Sequence, residues 1–192
     1  MVVGYDHHFG KNREGTFENL LALSELYDFK LHKIEPQNVD EVTISSTKIR
    51  NAIAEGDIEK ANSYLCCDFA INGKVEKGNK IGNSIGFPTA NIKVVNNWKL
   101  LPKDGVYAVK VFIEHQQFYG MLNIGVRPTI KDDSHTIEVH IFDFNKDIYN
   151  QNIKIEFSER IRGEKKFENL DALKKQLQID ESKCKKIFNL LR

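Results

Sequence analysis

Thr89 and Asn91 stand two residues apart, directly after a stretch that carries Gly78, Gly82 and Gly86 at four-residue intervals. A hydroxyl and a carboxamide at that spacing share one side if the chain runs on as a strand. Together they suit a hard cation and phosphate oxygens. Glycines so spaced let a backbone approach a ligand closely, adopt positive φ and aim N–H groups at an anion. Pro88 ends the loop, fixing one φ and biasing Phe87 to extended geometry. No Gly-Lys-Ser/Thr closes it, so it is not a Walker A sequence. Taken alone, the same glycines also describe a hairpin with no ligand.

Glu138 is the second group with chemistry in reach. In Ile137-Glu138-Val139-His140-Ile141-Phe142-Asp143 the apolar Ile137, Val139 and Ile141 take one side. Glu138, His140 and Phe142 take the other. A carboxylate in mid-strand is disfavoured by β-propensity. It is either a solvent-facing residue or, beside a bound phosphate donor, a candidate general base. A third constellation is Ile44-Ser45-Ser46-Thr47-Lys48-Ile49-Arg50. Hydroxyls before a helix make an N-cap, free N–H groups there attract anions, and Arg50 returns to the face of Ser46. That set could hold a polyphosphate, or be a capped helix with a surface arginine. His7 and His8 point opposite ways in extended chain and do not suggest a shared metal.

The elements that position these groups divide near residue 67. Before it, period and alternation predict a helix over residues 16–27 and a strand over 30–34, an order typical of α/β sheets. Ile49, Ile53, Ile58, Ala61 and Leu65 predict short amphipathic helices broken at Gly56-Asp57. From Phe69 onward the period becomes two. Strands are expected over residues 69–76, 90–95, 106–114, 118–124, 136–144 and 152–157, with Tyr107, Val109, Val111 and Ile113 on one apolar face. Arg127-Pro128-Thr129 belongs to a second loop. Many short antiparallel strands argue for a small barrel, which leaves no exposed edge. Two C-terminal helical segments follow, marked by Leu170, Leu173 and Leu177 and by Cys184, Ile187, Phe188 and Leu191, with Asp180 as the cap of the second. Cys184 is then a core residue and not a nucleophile.

Composition narrows the class. Lys+Arg 28 against Asp+Glu 27 gives a formal net charge of +1 over 192 residues, which offers no global electrostatic argument for nucleic acid or membrane. No apolar run approaches the roughly 20 residues of a membrane span. The N-terminus lacks the regions of a signal peptide, and three cysteines, two of them adjacent, fit neither a disulfide framework nor a zinc spacing. A cytoplasmic protein is the expectation, as a monomer or with weak self-association.

In order and spacing these stretches resemble the bacterial bifunctional riboflavin kinase/FAD synthetase family. The resemblance rests on Val3-Gly4-Tyr5-Asp6 with Phe9-Gly10, the segment from Ile44 to Arg50, and Gly86-Phe87-Pro88-Thr89-Ala90-Asn91. It continues through Gly105-Val106-Tyr107-Ala108, Asn123-Ile124-Gly125, Pro128-Thr129, the Glu138 strand and residues 162–167. It implies an α+β chain: a six-stranded antiparallel Greek-key β-barrel with C-terminal helices over residues 68–192, preceded over 1–67 by the rear part of an α/β adenylyltransferase domain. It also implies ATP- and Mg²⁺-dependent phosphorylation of riboflavin to FMN, with riboflavin and ATP as small-molecule partners and no nucleic acid or membrane. Glu138 would be the base. Gly78, Gly82, Gly86, Thr89 and Asn91 would serve the ATP phosphates, with Thr89 also on Mg²⁺. Asn123, Arg162 and Glu164 are flavin-side candidates.

Ser45, Ser46, Thr47 and Arg50 would be a vestigial adenylyltransferase phosphate site, because no His-x-Gly-His stretch accompanies them. FAD synthesis is therefore expected to be lost in this chain, and residues before about Cys67 to be poorly stabilised. Clear pyrophosphate release from FMN and ATP would contradict the first expectation. Asn83 departs from the family, many members of which carry a basic residue there. A non-catalytic flavin or nucleotide carrier and a nucleic-acid-binding barrel are the competing classes. Thr89, Asn91 and Glu138 argue against the first, and net charge near zero against the second.

Overall fold

Alternation of apolar and polar residues after Phe69 produces strands that close on themselves in the computed structural model. It describes residues 1–36, 38–39, 42–78, 82, 85–96, 98–126 and 135–190. The expected second loop at Arg127, Pro128 and Thr129, together with Asn83 and Leu191, lies outside these residues. The barrel strands are β5 (Ala70–Glu76), β6 (Ala90–Val94), β7 (Gly105–Ile113), β8 (Gln116–Val126), β9 (His135–Ile141) and β10 (Asn152–Arg162). They run in the order β10-β5-β6-β9-β8-β7, and β10 pairs with both β5 and β7 to complete the ring. All six pairings are antiparallel, and β6 bypasses its sequence neighbour β7 to pair with β9, so no edge is left open. One side of each strand fills the interior, where Ile71, Val75, Tyr107, Val109, Leu122, Val139 and Phe157 are buried.

Two compact units divide the chain, Met1–Ser45 and Ser46–Arg192. The boundary thus precedes the expected one at residue 67, and the reason is packing. α2 (Ser46–Glu55) and α3 (Ile58–Leu65) break where Gly56 takes φ +80°, as the Gly56-Asp57 reading expects. Their Ala52, Ile53, Ile58 and Ala61 join the barrel's hydrophobic cluster. Asn62 ties α3 down: its Nδ2 donates to the Phe157 carbonyl at 2.8 Å, and its Oδ1 accepts from the Phe69 N–H at 2.7 Å. Residues 46–65, which fall within the stretch expected to be poorly stabilised, thus share the barrel's core.

The first unit is a small β-α-β arrangement. β1 (Val2–Gly4) lies parallel to β2 (His32–Ile34), with α1 (Phe17–Leu26) between them in sequence. Thr16 N–H donates to Asn19 Oδ1 at 2.8 Å and starts α1. β3 (Asn38–Val39) and β4 (Val42–Thr43) pair antiparallel. Among its described residues only Val3, Leu20 and Ser24 are buried, which leaves this unit little core.

After the barrel comes α4 (Leu170–Ile187), one continuous helix where two segments are expected. Asn169 caps it, its Oδ1 accepting from Ala172 N–H at 2.8 Å. Asp180 is no cap: it lies inside the helix with 0% exposure. The apolar spacing runs in phase through Leu177 to Cys184, and one charged residue in that stripe reads as a break. α4 covers the outer face of β7 and β8, closing a second apolar cluster of Phe87, Val106, Ala108, Met121, Phe142 and Cys184.

Gly120 shows how closely the barrel strands approach. A Cβ there would lie 2.5 Å from the His140 carbonyl oxygen, a backbone atom of the adjoining strand. Gly120→Ala is expected to lower stability by about 1–3 kcal/mol. Urea unfolding checks this as a lower midpoint at unchanged slope.

Candidate active site

Strand register brings the sequence-distant candidates into one row. Glu76 pairs with Asn91, Asn91 with Glu138, Glu138 with Asn123, Asn123 with Val106, and Val106 with Arg162. Directly paired residues share a face. Ile137 and Val139 flank Glu138 and are buried inside, so the row lies on the outside of the barrel.

A cavity of about 330 Å³ opens on this outer face, lined by Gly82, Phe87, Thr89, Asn123, Gly125, Glu138, His140, Met121 and Val106, and by Arg162, Glu164, Phe167, Leu173 and Leu177. Its lining mixes polar Thr89, Asn123, Glu138, His140, Arg162 and Glu164 with apolar side chains, of which Leu173 and Leu177 come from α4. Thr89 Oγ1 donates to Glu138 Oε2 at 3.2 Å. Thr89 also lines a neighbouring cavity of about 290 Å³ with Val75, Ala90, Ile141, Phe144, Ile148 and Tyr149. Asn91 does not line the first cavity. It belongs to a third hollow with Glu76, Lys77 and Lys93, although its backbone pairs with Glu138.

The three loop glycines differ in what they do. Gly86 takes φ +86° and is the one of the three with a left-handed backbone. Gly78 and Gly82 leave room: a Cβ would lie 1.8 Å from Asn91 Nδ2 at Gly78, and 2.1 Å from the Phe87 carbonyl oxygen at Gly82. Gly82 O accepts from Phe87 N–H at 2.9 Å, which folds the loop back toward Thr89.

His140 anchors the loop's end. Its Nδ1 lies 2.7 Å from Pro88 O, and a carbonyl only accepts, so Nδ1 carries the proton. Its ring meets Phe87 edge-on at 5.3 Å. The spacing to Glu138 puts His140 on the right side in sequence, but nothing there indicates Pro88 as its partner. Asp180, which holds Arg162, and Gln176, which donates to Asp180, are the residues whose place beside the site sequence reasoning missed. Among the vestigial candidates, Ser45 ends the first unit, while Ser46, Thr47 and Arg50 lie in the first turns of α2 in the second.

Cys184, on the buried face of α4, is fully buried, and that burial pushes its thiol up to about 12. Cys66 and Cys67 are exposed. Thiol titration of the native protein is therefore expected to modify Cys66 and Cys67 and to reach Cys184 only in denaturant. Rapid native labelling of Cys184 would contradict the packing of α4.

No group of three or more His, Cys, Asp or Glu among the described residues could hold a metal. Mg²⁺ does not need one, because it commonly takes one or two protein oxygens together with substrate phosphates and water. Thr89 Oγ1 and Glu138 Oε2 form such a hard-oxygen pair on a cavity wall. The donor set fits the ion.

Residues 65–188 match the family model for riboflavin kinase, and residues 1–48 match the model for FAD synthetase. A bifunctional riboflavin kinase/FMN adenylyltransferase of Haemophilus influenzae is 42% identical over 190 residues, spanning 98% of this chain and 61% of that protein. Its counterpart in Listeria monocytogenes is 39% identical over 189 residues, spanning 98% of this chain and 60% of that protein. A crystal structure described as a macrolide-efflux protein from Streptococcus pneumoniae superimposes with a TM-score of 0.84 at 36% identity, over 93% of this chain and 57% of that one. The chain spans about three fifths of the length of the curated relatives it matches. With all six barrel strands and α4 inside the first match, the chain belongs to the riboflavin kinase family.

Proposed function

We propose that this chain is a riboflavin kinase, transferring the γ-phosphoryl group of ATP to the terminal ribityl hydroxyl of riboflavin to give FMN and ADP. The observation that carries the reading is Glu138, held by the Thr89 hydroxyl on the wall of a cavity to which α4 contributes Leu173 and Leu177. Phosphoryl transfer needs positioning and charge neutralisation more than covalent chemistry. Glu138 accepts the proton of the attacking hydroxyl as the new P–O bond forms and the bond to the β-phosphate oxygen breaks. The glycine loop lays backbone N–H groups along the phosphates. Thr89 would hold Mg²⁺, with Asn91 orienting it from the adjoining hollow; when bound, the ion neutralises phosphate charge.

Thr89 stands on the wall of two cavities, and that supports a two-substrate site. The isoalloxazine ring takes the larger one, between Phe167, Leu173 and Leu177 on one side and the barrel on the other. Asn123, Arg162 and Glu164 supply its polar border. The nucleotide approaches from the other side of Thr89.

Among the described residues no helix is long and apolar enough to cross a membrane. A cytoplasmic enzyme without nucleic-acid or membrane partners, monomeric or weakly self-associating, fits this reading. Incubation with riboflavin, ATP and Mg²⁺ followed by chromatography tests the kinase reading: FMN supports it, and a bound but unchanged flavin would favour a carrier.

A further inference from the structure

α4 carries one charged side chain inside its apolar stripe, and that side chain is completely buried. Asp180 has 0% exposure. Its Oδ2 accepts from Arg162 Nε at 2.9 Å and lies 2.8 Å from Arg162 Nη2. Its Oδ1 accepts from Gln176 Nε2 at 2.9 Å. Two donors from one edge of the guanidinium fix the plane of that group. Arg162 Nη1 then donates to the Gly163 carbonyl at 2.9 Å, and the Phe167 ring centroid lies 5.7 Å from Arg162 Cζ. One buried carboxylate thus reaches, through Arg162, both ends of residues 163–167.

That connection supplies Glu164, Lys165 and Phe167 to the cavity that Glu138 also lines. β8 is left bare to receive it: a Cβ at Gly125 would lie 1.8 Å from Glu164 Oε1. Stability alone does not call for the ion pair, since a buried pair replaced by apolar residues of similar volume is commonly neutral or stabilising. An apolar residue at 180 would simply continue the stripe between Leu177 and Cys184. What the pair adds is a fixed orientation for Arg162.

We infer that Asp180 is a positioning residue for phosphoryl transfer, holding Arg162 so that residues 163–167 form the flavin-side wall of the cavity. This rests on the riboflavin kinase reading. The test uses the whole chain, its Asp180→Asn variant and a paired Asp180→Leu/Arg162→Met variant. Riboflavin binding is followed by quenching of flavin fluorescence, initial rates are varied separately in riboflavin and ATP, and thermal midpoints are recorded.

Asp180→Asn is expected to weaken riboflavin binding and raise its KM by about ten- to hundredfold, while the KM for ATP moves less than about threefold. The paired variant is expected to melt within a few degrees of the parent and to keep the riboflavin defect. Parental riboflavin affinity in either variant would overturn the inference, the paired case showing a purely structural contact. A parent chain that neither binds flavin nor makes FMN would overturn the kinase reading and this inference with it. A parent that makes FMN beside an unaffected Asp180→Asn overturns the inference alone.

Discussion

Glu138→Gln is expected to keep ATP bound while losing most turnover. The amide matches the carboxylate in size and can still accept the Thr89 hydroxyl that Glu138 Oε2 takes at 3.2 Å, so the cavity wall stays in place. It cannot accept the proton of an attacking hydroxyl. General-base catalysis contributes about 10²–10⁴-fold, and kcat should fall by that amount. Because the lost interaction belongs to the transition state, kcat and kcat/KM fall together while the KM for ATP stays within a few-fold. Steady-state kinetics with each substrate varied checks this. An unchanged kcat removes Glu138 from the base role.

Gly82→Ala has the next largest expected effect, for a conformational reason. The added Cβ would lie 2.1 Å from the Phe87 carbonyl oxygen, a backbone atom that cannot swing aside. The Gly82 O to Phe87 N–H bond of 2.9 Å must then open. Phe87 is buried against the outer cluster, and Pro88 O is held by His140 Nδ1 at 2.7 Å, so any loop shift displaces Thr89 as well. Misplacement of that order costs about 10²-fold in rate, and kcat/KM for ATP should drop accordingly. The thermal midpoint should move little, because the barrel core is untouched. Gly86→Ala differs: no atom lies within 4 Å of its Cβ, and the strain is that of a left-handed φ, about 1 kcal/mol. Equal kinetic loss in both variants would contradict the close-approach role of Gly82.

The strands were the legible part, because alternation of Tyr107, Val109, Val111 and Ile113, or of Ile137, Val139 and Ile141, states directly which side is buried. Register was not legible. Faces along one strand say nothing of which residues stand opposite on the next, so the row from Asn91 through Glu138 and Asn123 to Arg162 emerges only from pairing. Thr89, Glu138 and the glycines came from local spacing joined to a family resemblance. Even so, Thr89 and Asn91 face different hollows, which a strand's period alone did not reveal.

What was not legible shares a physical cause. Asp180 looks like a cap because a charge in an apolar stripe marks a helix end, unless a distant arginine neutralises it; Arg162 does so from another element. The stripe of Ile49, Ile53, Ile58, Ala61 and Leu65 was visible, but the surface that covers it was not. The barrel core covers it, which moves the compact boundary back to Ser46. Both features depend on partners far away in sequence.

The most direct measurement follows riboflavin, ATP and Mg²⁺ with the 192-residue chain, quantifying flavin and nucleotide products by chromatography. The account predicts FMN and ADP in equal amounts, formation that requires riboflavin, and loss of both products in Glu138→Gln. Stable riboflavin binding with no FMN, or FMN formed at the parental rate by Glu138→Gln, would contradict it.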